Sequence, residues 1–248
     1  MILCIDSGNS RIKWALHADG VWRESAAVDH AETAKMADLL RRLPMPACVM
    51  LANVAGAAAG AAIRQALAPW LPVLREVEST AAAGGVVNLY ADPPRLGVDR
   101  WCALIGARAM TAAPCVVVMA GTATTVDTLA GDSRFLGGLI LPGLDLMRRS
   151  LARDTAALPL AAGRYAVHPR CTDDAITSGC IEAQVGAIER ACARLGDDAI
   201  CLLSGGAAGL IGEHLGVAHR RVANLVLEGL LRLAGDDSAA HAAGKTSG

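Results

Sequence analysis

The residues best equipped for chemistry open the chain, "MILCIDSGNSRIKWALHADGVW". An apolar run stops at Asp6, turns through Ser7, Gly8, Asn9 and Ser10, and resumes as "RIKWALH". A glycine lets the backbone come close to an anion, and successive N–H groups in such a turn form a concave donor site. Ser7, Asn9 and Ser10 add neutral donors, Lys13 adds a cation, and Asp6 offers a carboxylate to Mg2+, directly or through water. That combination suits nucleotide phosphates. The plain alternative is a hairpin turn with polar residues, and for "DSGNS" alone it is the better reading. A second stretch, "AGTATT", shifts the balance, because Thr122, Thr124 and Thr125 follow another apolar run and Gly121 comes 113 positions after Gly8.

A third stretch, "NLYADPPRLGVDRWCALIGA", sends a rigid loop (Pro93, Pro94, Gly97) into a helix with Asp99 at or beside its N-terminus and Arg100 next to it. An N-cap aspartate there stabilises the helix by ~1 kcal/mol. A carboxylate there can also accept a hydroxyl proton in phosphoryl transfer, with Arg100 orienting substrate or charge. Spacing alone favours the cap. "GGLILPGLDLMRRSL" and "LLSGGAAGL" read either as strand-to-helix punctuation or as backbone shaped around a ligand, the second as a glycine platform beneath an adenine. Trp14, Trp22, Trp70 and Trp101 read as core or interface residues.

The elements that must position these groups follow from periodicity. "MILCID", "RIKWALH" and "VWRESAAV" predict three strands, with "ADG" turning between the last two. "HAETAKMADLLRRL" predicts a helix, "ACVMLANVAG" a buried strand, "AAAGAAIRQALAPWL" a helix and "PVLREVE" a strand. Near residue 114 the plan restarts: "APCVVVMAG", "TATTVDTLA" and "RFLGGLILPG" are strands separated by a Gly-Thr turn and a "GDS" turn. So long an internal period indicates duplicated domains rather than a solenoid. Helical stretches, a strand "AICLLSGG" and further helices follow. The expected domains are 1–111 and 112–236, with 237–248 a small, polar, flexible tail. The tail's "GKT" fails the Walker A pattern, since Ala239 occupies its first Gly position.

Composition excludes several classes. Hydrophobic residues make up 53% but aromatics only 3%, so the core must be aliphatic with Ala-rich helices packed closely. Lys+Arg is 23 against Asp+Glu 24, which does not suit a nucleic-acid partner. Mean hydropathy is +0.38, yet Gly, Thr or Asp interrupts each apolar stretch before the ~20 residues of a membrane-spanning helix. Asp6 stands where a signal peptide's apolar region would lie, so a cytoplasmic protein is expected. Eight cysteines without a C-x-x-C pair read as small buried hydrophobes, and six histidines make no H-x-x-x-H pair.

Taken in order, "DSGNSRIKW", "YADPPRLGVDRW", "GTATTVD", "GGLILPG" and "TDDAITSG" resemble the motifs of the type III pantothenate kinases over nearly the whole chain. The resemblance implies an α/β fold of the acetate and sugar kinase/Hsp70/actin superfamily: two ribonuclease-H-like domains with mixed sheets and a cleft between them that holds the active site. It implies ATP-dependent phosphorylation of pantothenate to 4'-phosphopantothenate, the first step of coenzyme A biosynthesis, with ATP and Mg2+ required. By position, Asp6, Ser7, Gly8, Asn9, Ser10, Arg11, Ile12 and Lys13 match the first phosphate motif and Thr122 the second, with Asp6 the Mg2+ residue. Gly97, Val98, Asp99 and Arg100 match the pantothenate-contacting motif, Asp99 as proton acceptor, and Tyr90 and Thr172 match further pantothenate positions. Family members are homodimers whose substrate pocket is completed at the subunit interface.

Two positions depart from the pattern. Where the family carries an Asp that helps bind an activating K+ or NH4+, this chain has Met119, which has no hard oxygen donor. Either Asp127 or backbone carbonyls take over, or the requirement weakens; a smaller activation than in relatives is expected. Ala207 stands where an acidic residue is frequent in the glycine platform. The rival readings are a kinase of the same fold acting on another small alcohol or carboxylate, and a non-catalytic accessory factor that senses nucleotides.

Overall fold

Side chains along a strand alternate between two faces, and that rule sets the plan of the first unit. The computed structural model describes residues 1–40, 42–160 and 162–245, with backbone alone for 39 and 237–245. β1 (Ile2–Ser7) pairs antiparallel with β2 (Arg11–Ala18), which pairs antiparallel with β3 (Val21–Asp29). The two-residue loop Asp19–Gly20 has positive φ at both positions, as tight hairpins require. A 3-10 turn (His30–Glu32) leads into α1 (Thr33–Leu40), and β4 (Cys48–Asn53) then runs parallel to β1. α2 (Ala57–Ala66) and a 3-10 segment (Ala68–Val73) precede β5 (Leu74–Glu76), parallel to β4. Leu3, Ile5, Ile12, Val49 and Leu51 share one sheet face with Met36 of α1 and Ile63 of α2, all fully buried. A short hairpin of β6 (Ala82–Ala83) and β7 (Val86–Asn88), which periodicity had not revealed, and a Pro-rich 3-10 turn lead to α3 (Val98–Met110).

The second unit repeats this order. β8 (Cys115–Ala120), β9 (Ala123–Leu129) and β10 (Arg134–Pro142) form an antiparallel meander. α4 (Leu144–Asp154) and α5 (Thr172–Leu195) follow, then β11 (Ile200–Ser204) parallel to β8, α6 (Ala208–Gly212), and β12 (His219–Arg221) parallel to β11. Strand order is β3-β2-β1-β4-β5 in the first unit and β10-β9-β8-β11-β12 in the second, with the same senses. The doubled pattern in the sequence is therefore a doubled topology. Val116, Val118 and Cys201 pack on Ile181, Val185 and Ile188 of α5.

The chain ends in α7 (Leu225–Lys245), and here the structure corrects the expected domains. One compact unit comprises residues 1–111 with the segment from Leu225 onward; the other comprises 112–224. The final helix, assigned from chain order to the second domain, packs on α3, β1 and β4 of the first. A Cβ on Gly229 would collide with the Cys102 carbonyl oxygen, and one on Gly106 with that of Leu225, so only glycines allow the two helices this approach. The helix also continues through Lys245 where a flexible tail was expected, consistent with the helix preference of its alanines; 246–248 lie outside the described residues. All eight cysteines are free thiols. Among the described residues no helix is long and apolar enough to cross a membrane.

Candidate functional site

Alternation along β1 sends Asp6 and Ser7 to opposite faces. Asp6 stands opposite Lys13 in the hairpin register and is 6% exposed. Burial pushes its carboxyl up to about 6, Lys13 draws it down, and Asp99 pushes it up again. Ser7 lies opposite Ile12, and its hydroxyl oxygen is buried with no hydrogen-bond partner. Ile12 belongs to the core, and Arg11 forms an exposed ion pair with Asp29 (3.2 Å). The Gly8 N–H donates to the Arg11 carbonyl (3.1 Å), so the turn spends this donor on closing itself. Of the eight predicted residues, Asp6 and Lys13 share one face, Gly8, Asn9 and Ser10 form the turn, Arg11 is held in its ion pair with Asp29, and Ser7 and Ile12 lie on the face opposite Asp6.

Asp99 comes from the first turn of α3, whose N-cap is Gly97 without a side-chain cap. The expectation of an N-cap aspartate is thus met in part only: Asp99 lies inside the helix, and its Oδ1 accepts the Arg100 N–H (2.8 Å). Arg100 is 5% exposed and its Nη1 donates to Tyr90 Oη (2.9 Å). Cys102, three residues after Asp99, is wholly buried, and its thiol is pushed up first by burial and then by Asp6, Asp99 and Cys4. Both carboxylates therefore act on one small region of the first unit. Residues from β1, β2 and α3 are brought together there with Tyr90, which follows β7.

Asn88 was not singled out in the sequence, yet it organises this loop. It is 5% exposed; its Nδ2 donates to the Thr80 and Pro93 carbonyls (3.2 and 3.3 Å), and its Oδ1 accepts the Tyr90 N–H (3.0 Å). Its adjacency to "LYADPP" is the one signal that pointed to it.

In the second unit the glycine motifs converge. The Gly143 N–H donates to the Thr122 carbonyl (3.0 Å), and the Ala207 N–H to the Ala120 carbonyl (3.1 Å). A Cβ on Gly143 would strike the Gly121 carbonyl oxygen, and one on Gly205 (φ +106°) the backbone of Ala120. "LPG" and "SGG" are therefore tight junctions built against the Ala120–Thr122 turn. Thr122 is exposed, whereas the hydroxyls of Thr124 and Thr125 are buried and unpartnered. Thr172 opens α5 and lines a cavity of about 530 Å3 with Met147, Ser150, Leu151, Leu158 and Cys180. One helix face of α5 straps the preceding segment: Asp174 accepts the Arg164 N–H (2.8 Å), Ser178 that of Ala166 (3.0 Å), and Glu182 the Tyr165 hydroxyl (2.7 Å).

A buried carboxylate that feels a second carboxylate is where a divalent cation relieves most charge. Among the described residues no group of three or more His, Cys, Asp or Glu could hold a metal ion. The donor set fits a cation that takes one protein carboxylate and fills its remaining positions from phosphate and water, the habit of Mg2+.

The family model described as type III pantothenate kinase matches residues 2–194. A type III pantothenate kinase from Dechloromonas aromatica is 59% identical over 236 residues, covering 94% of this chain and 99% of the relative. One from Aromatoleum aromaticum is 51% identical, covering 97% and 100%. Among solved structures, a Campylobacter jejuni protein carrying a Baf family transcriptional activator label superposes with a TM-score of 0.63 at 18% identity, covering 96% of this chain and 99% of that one. A Sinorhizobium meliloti protein carrying a 2-dehydro-3-deoxygalactonokinase label superposes with a TM-score of 0.59 at 16% identity, covering 95% of this chain and 99% of that one, and shares its mixed α/β fold.

Proposed function

Because this chain belongs to the type III pantothenate kinase family, we propose that its Asp6–Lys13 hairpin and Thr122 hold the phosphates of ATP and that Asp99 receives the proton of the acceptor alcohol. The reaction is ATP-dependent phosphorylation of pantothenate to 4'-phosphopantothenate in coenzyme A biosynthesis. The pantothenate hydroxyl oxygen forms a bond to the γ-phosphorus, the bond from that phosphorus to the bridging oxygen of ADP breaks, and the hydroxyl proton passes to Asp99. The transition state is loose, so Asp99 acts late and chiefly orients the hydroxyl, while most of the acceleration comes from positioning and charge neutralisation. Lys13 and the backbone N–H groups of the turn meet phosphate charge. Asp6 is the residue that would hold Mg2+, which would offset phosphate charge at this turn. Tyr90, Gly97, Val98, Arg100 and Thr172 contact pantothenate, whose carboxylate suits a buried guanidinium steadied by Tyr90.

The observation that carries this reading is the common field of Asp6 and Asp99 on the same buried neighbourhood. A coupled ADP-release assay with and without pantothenate, on wild type and Asp99→Asn, tests it. The variant should lose kcat and keep ATP affinity; equal loss of both would assign Asp99 to the helix start alone.

Two finer points belong to the same reading. Met119 brings no hard oxygen to the position of the family's cation ligand, so K+ or NH4+ activates weakly. The protein works as a homodimer that completes the substrate pocket, which accounts for apolar side chains exposed on the second unit, Ile140 (64%) and Val167 (75%) among them. Sedimentation equilibrium at micromolar concentration should give the dimer mass, and a monomer at every concentration would remove this point.

A further inference from the structure

We infer that His30 is a positioning residue for the phosphate turn: its imidazole holds the Gly8 carbonyl and so aims the Asn9 N–H toward bound phosphate. This rests on the assignment of the Gly8 turn to ATP phosphates.

His30 Nε2 lies 2.7 Å from the Gly8 carbonyl oxygen, 22 residues earlier in the chain. A carbonyl oxygen only accepts, so Nε2 carries the hydrogen and donates. The register explains how a distant residue arrives there. Arg11 pairs with Asp29 at the end of the β2–β3 ladder, and the ion pair between their side chains closes that rung. His30 is the next residue, which brings it alongside the turn. The buried Thr33 fixes it from the other side, its hydroxyl donating to the His30 carbonyl (2.7 Å) across the 3-10 turn.

The consequence follows from peptide geometry. The Gly8 C=O and the Asn9 N–H belong to one planar trans unit and point in opposite directions. Tying the carbonyl to His30 therefore turns the Asn9 N–H away from the β3 side. Gly8's own N–H is already committed to Arg11, whereas Asn9 makes no hydrogen bond among the described residues. Gly8 tolerates either sign of φ, and asparagine is the side chain that tolerates a positive φ best, so nothing local opposes a flip of this peptide. His30 supplies the missing constraint and spares the turn the ordering cost on binding.

The test compares His30→Ala, His30→Gln and Asn9→Pro, the last removing the N–H itself. Kinetics give KM for MgATP and for pantothenate; calorimetry gives MgADP affinity; melting curves report folding. His30→Ala should raise KM for MgATP and weaken MgADP about three- to tenfold, the effect of one lost hydrogen bond, with pantothenate KM unchanged. His30→Gln should recover most of this, because its amide N–H reaches the same carbonyl. The inference is overturned if His30→Ala leaves nucleotide affinity unchanged, if both substrates' KM values rise together, or if His30→Gln matches His30→Ala at equal melting temperature. Should Asn9→Pro also leave MgADP affinity intact, the phosphate assignment of the turn fails as well. Should Asn9→Pro alone weaken it, only the role of His30 fails.

Discussion

Asp6 and Lys13 face each other across the first hairpin, yet the lysine does not set the state of the carboxylate: burial prevails and holds Asp6 at about 6. The arrangement is costly for a free protein and useful for one that binds a cation and a triphosphate. A bound cation would add to Lys13 the charge compensation that burial makes Asp6 need.

For activity, Asp6 must be ionised to hold a cation, so kcat/KM for MgATP should fall as pH drops below about 6. Lys13→Met removes the influence that lowers Asp6 and should move this acid limb to higher pH. A pH–rate profile flat down to pH 4.5 for wild type would rule the assignment out.

For stability the sign is the reverse of the usual carboxylate case. Below the ordinary Asp value of 3.8 both folded and unfolded chains keep the proton. Between there and about 6 the unfolded chain loses it first, so this contribution to stability falls as pH rises and is fully lost above about 6. Asp6→Asn should therefore melt higher than wild type at pH 7.5, by about 2–3 kcal/mol at most, and converge with it toward pH 4, while losing kinase activity. Equal melting temperatures at pH 7.5 would contradict the burial argument.

Asp99→Asn preserves an oxygen able to accept the Arg100 N–H, so the start of α3 should survive and the melting temperature should change little. The loss of a proton acceptor should lower kcat by about 10²–10⁴. Steady-state kinetics with differential scanning fluorimetry separates the two roles of this side chain.

Gly229→Ala drives a methyl group into the Cys102 carbonyl and should destabilise the protein by about 2–4 kcal/mol, read from urea unfolding. A neutral effect would mean that α7 does not press on α3 as closely as described.

Exchanging Na+ for K+ should change kcat only slightly in wild type, because Met119 offers no oxygen. Met119→Asp should raise the K+ to Na+ ratio of rates. A large ratio in wild type would show that other oxygens, such as that of Asp127, replace the missing ligand.

Much of the molecule was legible in its residues, for local reasons. Period-two alternation and turn chemistry announce both hairpins, and the return of the same plan at "APCVVVMAG" announces the doubling that the strand orders display. Ordered motifs pointed to the family. What stayed hidden depends on contacts far apart in sequence. "VANLVLEGLLRLA" reads as a helix, but nothing in it says that it returns to the first unit; that depends on two glycines, Gly106 and Gly229, meeting across 123 positions. "LPG" and "SGG" read as turns, and only the folded chain presses both onto Ala120–Thr122.

The sequence by itself determined the elements, the repeat and the chemical types available at each turn, because these follow from steric preferences of neighbouring residues. Which donors remain for a ligand, which carboxylate is buried, and which histidine steadies the turn were decided by the tertiary structure alone. Burial and peptide orientation are properties of surroundings that the chain acquires only when distant segments come together.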